Sequence, residues 1–236
     1  MEQVVETAID EGELYREAGF DALIVENMHD RPYLRRRVGP EVVAAMTVAT
    51  REVVTLGLPV GVQVLAGANR ESLAVALAAG AAFVRVEGFV FSHVADEGWM
   101  DGDAGTLLRY RKQIGAESLH VFADVKKKHA AHAVTADVGL AETAQAAELF
   151  LADGLIVTGA ATGRTAAPED LEEVKAASSL PVLIGSGITA DNLDLYAAAD
   201  GWIVGSSVKR RGLWSEPLDR PRLDALVAAA RCLRDG

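Results

Sequence analysis

With 236 residues, 50% of them hydrophobic, the chain can bury one large core, and single α/β barrels commonly have this length. Its formal net charge of −11 excludes a general phosphate-attracting surface for nucleic acid or anionic membrane, so any anion is captured locally. The single cysteine, Cys232, excludes an internal disulfide framework and suits a reducing compartment.

Met1 to Glu17 is acidic and amphipathic, without the basic-then-apolar pattern of a secretory signal. The longest apolar stretch, Leu73 to Val84, is broken by Gly80 and too short to span a bilayer. A cytoplasmic protein without an integral membrane segment is expected.

Residues 3–18 carry apolar positions among acids at helical spacing, and Gly19 is a natural stop. Residues 20–27 read as a buried strand ending in Glu26 and Asn27. A long loop to Gly39 follows, and Pro40 opens a helix over about 41–55. The same phrase then recurs: strand 59–64 and helix 69–79, strand 82–87 and helix 103–114, strand 119–126 and helix 139–152, strand 154–158 and helix 168–178. Apolar runs beginning at Val182 and Gly201, with a helix over about 190–198 between them and one over about 219–233 after them, complete the series. Strands alternating with helices at this spacing predict βαβ units and a parallel sheet in one domain spanning 1–236. An open flavodoxin-like or Rossmann sheet is the rival fold, and it is disfavoured because no glycine-rich dinucleotide fingerprint follows an early strand.

The runs at Val182 and Gly201 stop at Gly185-Ser186-Gly187 and Gly205-Ser206-Ser207. Glycines let backbone N–H groups approach an anion closely, and the serines add hydroxyl donors. In (β/α)8 barrels the loops after the last two strands commonly form a phosphate site. The sequence therefore predicts a phosphate cradle there. If these are the seventh and eighth barrel strands, the seven visible strands are numbers two to eight, and the first is absent from this sequence.

Side chains alternate along a strand, and the outward set of a barrel strand is apolar because helices cover it. With Val84, Val86, Val121, Ala123 and Val125 outward, Arg85, Glu87, Asp124 and Lys126 point inward. The same arithmetic turns Glu26, Gln63 and Thr158 inward at the carboxyl-end face, where catalytic groups of such barrels sit. Burying this many charges costs several kcal/mol apiece unless they are well paired, which favours function over stability as their reason.

Asp124 and Lys126, two apart on one face, suit proton delivery to a carbanion or enolate, with Glu87 beside them. They also begin the Asp-x-Lys-x-x-Asp pattern of the orotidine-phosphate decarboxylase group, with His129 in its third position. Glu26, Glu87, Asp124 and His129, with His29 and His93 on loops, offer oxygen and imidazole ligands to a divalent metal ion, although none shares a tight metal spacing. Asn27, Lys128, His129, Thr158, Thr162 and Arg164 are further substrate-binding candidates. The loop from His29 to Arg37, with four arginines, reads as a lid or an interface. Trp99, Trp202 and Trp214 suit contacts between subunits of a homo-oligomer.

Several runs together carry a resemblance over nearly the whole chain. They are Ala-Leu-Ile-Val-Glu-Asn at 22–27, Arg85-Val-Glu87 with Asp101-Gly-Asp103, Leu108 to Lys112, Ala123-Asp-Val125 with Lys128-His129-Ala130, Leu155 to Gly163, Gly185-Ser-Gly187, and Asp200 to Arg211. The chain resembles the BtpA family. That resemblance implies a TIM barrel with a phosphate site. It also implies either an enzyme of nucleotide or sugar metabolism or an assembly factor of the kind linked to photosystem I biogenesis. The strand with a Val-His-Leu-x-Pro-Leu-Pro-Gly-like segment that begins family members is not in this sequence. The reading that follows is an enzyme acting on a small phosphorylated metabolite, with Glu87, Asp124 and Lys126 as its acid–base or metal-assisting groups.

Overall fold

The computed structural model describes residues 1–127, 129–159 and 165–235. Helix α1, Glu2–Ala18, ends where Gly19 takes the left-handed conformation (φ 102°), which a residue without Cβ adopts at little cost. Strand β1, Leu23–Glu26, leads through a long loop to α2, Pro40–Val54. Strand β2, Val60–Gln63, α3, Asn69–Ala79, and β3, Phe83–Val86, follow. The next loop folds into a hairpin of β4, His93–Ala95, and β5, Gly98–Met100, before α4, Ala104–Gln113. Strand β6, His120–Val125, is followed by the short β7, Ala130–Ala131, and by α5, Leu140–Leu149. The chain continues through β8, Gly154–Val157, α6, Pro168–Ala177, β9, Val182–Ile184, β10, Gly201–Trp202, and α7, Arg220–Asp235.

Seven strands pair in the order β1-β2-β3-β6-β8-β9-β10, every pairing parallel, and the sheet curls with its helices outside. This is the (β/α)8-barrel type of fold. Among the described residues β1 and β10 are the two ends of the sheet. Val62, Val84, Val86, Val121, Ala123, Leu155 and Val157, the outward set, are buried beneath the helices. Inside, the barrel floor is aromatic: Phe83 and Phe122 meet edge to face, ring centroids 5.6 Å apart. Gly61 and Gly154 make room for those rings, since a Cβ would lie 2.1 Å from Phe83 Cε2 or 2.4 Å from Phe122 Cε1.

One expectation about elements is corrected. The segment at 190–198 forms a 3-10 turn, Leu193–Tyr196, and no α-helix. The loops after β3 and β6 are not bare connections, because β4 pairs antiparallel with both β5 and β7 and builds a second, three-stranded sheet.

Candidate active site

Strands β1, β2, β3, β6 and β8 bring their inward side chains to the carboxyl-end face. Arg85 donates a bidentate pair to Asp124, Nε to Oδ1 at 2.9 Å and Nη2 to Oδ2 at 3.1 Å, and its Nη1 lies 3.6 Å from Glu26 Oε1. Burial disfavours the charge on Arg85, but Asp124 and Glu26 outweigh it and hold the guanidinium protonated. Two residues further along, just past the end of the same strand, Glu87 accepts from Gln63 Nε2 at 3.2 Å and from Lys127 Nζ at 3.2 Å. Burial raises the pKa of Glu87, and Lys127 opposes the rise. Thr158 lies beside them, its buried Oγ1 without a hydrogen-bond partner among the described residues.

The lysine that pairs with Glu87 is Lys127, while Lys126 lines the neighbouring cavity. Strand β6 ends at Val125 and Lys126 takes a left-handed conformation (φ 49°), which breaks the alternation on which its inward direction depended. The Lys126 ammonium donates to the Val138 carbonyl instead. Asp124 is engaged by Arg85 and the Lys126 ammonium by Val138, so the Asp-x-Lys pair of the orotidine-phosphate decarboxylase pattern is not formed.

Other predicted residues also fall outside the charged interior. Asn27 holds its loop, accepting from the Leu65 amide at 2.7 Å and donating to Asp30 at 3.3 Å. His129, its side chain 42% exposed, lies 4.0 Å from Asp96. Lys128 and Thr162, with Arg164, lie outside the described residues. The candidate metal ligands are dispersed: His29 packs on Trp214, and Glu26, Glu87 and Asp124 are each tied to a cation. Among the described residues no group of three His, Cys, Asp or Glu side chains is placed to hold a metal ion.

The three-stranded sheet covers this face and adds residues that alternation along barrel strands could not reveal. Glu97, in the hairpin turn, brings Oε2 to 3.8 Å from Lys127 Nζ. His93 is buried, its Nε2 has no partner among the described residues, and its ring faces that of His132 at 5.4 Å. Burial first, then the positive charge of Lys127, lowers the His93 pKa from 6.5 to about 4, so its ring is neutral at pH 7. The arginine-rich loop is built into the same rim. Arg36 pairs with Asp103 at 2.8 Å and donates to the carbonyls of Glu87 and Gly88, while Arg31 stacks on Trp214 at 4.7 Å. Asn69 Nδ2 ties Asp103 to the Glu87 carbonyl, 2.9 Å away. Burial raises the Asp103 pKa to about 6 against the pull of Arg36.

At the far side of the mouth, β9 and β10 lie in register, with Ile184 opposite Trp202 and the Ile203 amide donating to the Ile184 carbonyl. The loops carrying Gly187 and Gly205 follow these paired strand ends. Gly185 does not offer its amide, which donates to the Val157 carbonyl at 2.8 Å. It serves close packing instead: a Cβ there would lie 2.5 Å from Ile156 Cγ2 and 3.3 Å from Arg85 Nη2. Ser186 is buried and already engaged within the protein. Gly187 adopts φ 77°, and its carbonyl accepts from Asn192 Nδ2 at 3.0 Å. Gly205 is open on its Cβ side and leads into a 3-10 turn, Ser206–Val208, whose Ser207 carbonyl accepts from Arg222.

A curled parallel sheet with ionisable groups and glycine-ended strands at one rim defines a (β/α)8-barrel protein with its candidate site at the carboxyl ends of the strands. The chain belongs to the BtpA family, whose model matches residues 1–232. A Caenorhabditis elegans protein, designated uncharacterized and mitochondrial, is 45% identical over 99% of this chain and 87% of its own. The photosystem I biogenesis protein BtpA of Synechocystis is 40% identical over 96% of this chain and 79% of its own. Orotidine 5'-phosphate decarboxylase from Pyrococcus horikoshii superposes with a TM-score of 0.62 over 96% of this chain and 94% of that one, at 15% identity. 3-Hexulose-6-phosphate synthase from Salmonella typhimurium gives 0.62 over 97% and 94%, at 18% identity. At such identities the likeness is one of fold.

Proposed function

We propose that the protein is an enzyme acting on a small phosphorylated metabolite, a sugar or nucleoside phosphate. Its phosphate is held at the backbone of Gly187 and of Gly205, Ser206 and Ser207, with Ser186 and Gly185 shaping the floor of that loop. Glu87 and Asp124 handle protons, Lys127 replaces Lys126 in that role, and Arg85, Gln63, Glu26 and Thr158 line the substrate's path. One observation carries the reading: buried polar atoms without hydrogen bonds gather at a single rim. Thr158 Oγ1, His93 Nε2 and Glu97 Oε2 are three of the four such side-chain atoms among the described residues. Each costs about 1–3 kcal/mol when left unsatisfied, a cost that a polar ligand at the mouth would offset.

Several solved structures of the same fold are named as enzymes of phosphorylated substrates, which supports the phosphate as the common handle. A nuclear magnetic resonance titration with inorganic phosphate tests it. Shifts centred on the amides of Gly187, Gly205, Ser206 and Ser207 are expected; shifts confined to other loops would sink the cradle.

The name of the Synechocystis relative favours a second reading, a non-catalytic assembly factor. That reading expects no turnover across a panel of phosphorylated metabolites and a protein partner recovered by affinity capture. No helix among the described residues is long and apolar enough to cross a membrane. Cytoplasmic placement stays part of this proposal, and the designation of the worm relative makes mitochondrial targeting the outcome to watch in a localisation experiment.

A further inference from the structure

Lys127 is a primary amine set into the wall of the mouth, its side chain 6% exposed, between a carboxylate of the barrel and one of the cover. Glu87 Oε2 lies 3.2 Å from Nζ, and Glu97 Oε2, 3.8 Å away, is buried with no hydrogen bond. The two carboxylates fix the position of the ammonium between barrel and cover, and the Glu97 oxygen without a hydrogen bond is a proton acceptor beside it. A lysine used only to neutralise buried charge needs one such partner, with every oxygen satisfied. Lys127 also lines a small cavity, together with Asp124, Lys126, His93 and His132. The cavity has about 20 Å³, room for one water, so a larger molecule would need the hairpin above it to move.

We propose that Lys127 is an imine-forming lysine whose Nζ condenses with the carbonyl carbon of a small phosphorylated aldehyde or ketone. The proposal rests on the phosphate-binding reading above and adds the chemical class of the substrate and its covalent intermediate. The Lys127 ammonium gives a proton to Glu97. The neutral amine attacks the carbonyl carbon, the C–N bond forms, and the C=O π pair moves to oxygen. That oxygen takes the proton shed by nitrogen, giving a carbinolamine. The hydroxyl leaves as water with the proton held by Glu97, while the nitrogen lone pair closes the C=N bond. The net change is ammonium and carbonyl to protonated imine and water, and Glu97 ends as the carboxylate it began as. His93, neutral and with Nε2 unpartnered, hydrogen-bonds the hydroxyl that departs.

The test treats the full chain with glycolaldehyde phosphate and cyanoborohydride, then maps modified lysines by peptide mass spectrometry. The expected result is a reduced adduct at Lys127, suppressed by inorganic phosphate and lost in Lys127→Arg, which keeps the cation between its carboxylates. Glu97→Gln, which removes the proton acceptor, slows labelling of Lys127 and leaves labelling of Lys126 and Lys112 unchanged. Lys127 unmodified in the unaltered chain, while inorganic phosphate still shifts the Gly187 and Gly205–Ser207 amides, would overturn the imine step alone. Adduct at Lys127 that inorganic phosphate does not suppress would overturn the phosphorylated class of the ligand.

Discussion

Arg85 sends its guanidinium across the barrel interior to Asp124 with its side chain 5% exposed, and Asp124 is 1% exposed. Removing one member of so buried a pair leaves the other uncompensated. Asp124→Asn is expected to lower unfolding free energy by about 3 kcal/mol, read from urea denaturation, as well as to abolish turnover. A variant as stable as the parent would show that Glu26 alone suffices for Arg85. His93 carries a pH signature. Its folded pKa of about 4 lies below the ordinary 6.5, so the stability it contributes is complete above pH 6.5 and is lost as pH falls toward 4. Asp103 has the opposite sign: raised from 3.8 to about 6, it contributes most at low pH and loses that contribution as pH rises through 6. Chemical denaturation at several pH values should show a flatter acid limb for His93→Gln and a steeper one for Asp103→Asn. Unchanged limbs would mean that neither group is buried in solution.

Among elements, the barrel strands and the cover illustrate two degrees of legibility. Period-two alternation set Arg85, Glu87, Asp124, Gln63 and Thr158 inward, because an extended strand walled by helices has one apolar face and one interior face. It stops applying at Lys126, one residue past the end of β6, where a positive φ breaks the alternation and Lys127 becomes the partner of Glu87. The cover was invisible for a different reason: β4 and β7 are three and two residues long and come from loops separated by a helix and a barrel strand. No local pattern marks pairing at that distance. The helix expected at 190–198 became a 3-10 turn, with Leu193 and Tyr196 buried and Tyr196 Oη donating to the Ala166 carbonyl at 2.6 Å. The barrel floor yields a prediction of its own. Gly154→Ala drives a methyl against the Phe122 ring, and it should cost about 1–3 kcal/mol in thermal or urea unfolding. No loss would mean that Phe122 rotates freely away from Phe83.

For the whole molecule, the apolar surface is uneven. Leu149, Phe150 and Leu151, at the end of α5, are 77%, 48% and 71% exposed, a consecutive run that soluble monomers seldom display. The expected tryptophan contacts are less suited to joining subunits: Trp202 donates within its own chain to the Tyr196 carbonyl, and Trp214 is stacked by Arg31. If the protein is a homo-oligomer, as proposed from its sequence, this run is the surface to alter. Light scattering should give a multiple of the 24.9 kDa chain, and Leu149→Lys with Leu151→Lys should reduce it to one chain without lowering thermal stability. A monomer before substitution would remove that expectation.

The sequence by itself determined the parallel barrel and the charge of its interior, because alternation, helix stops and strand-ending glycines are local features that each segment carries alone. Only the tertiary structure decided that Lys127 is the lysine paired with Glu87, and that Glu97 and His93 come to it from a cover. Those contacts join segments whose meeting depends on the path of the whole chain, and a single left-handed residue at a strand end was enough to redirect one of them.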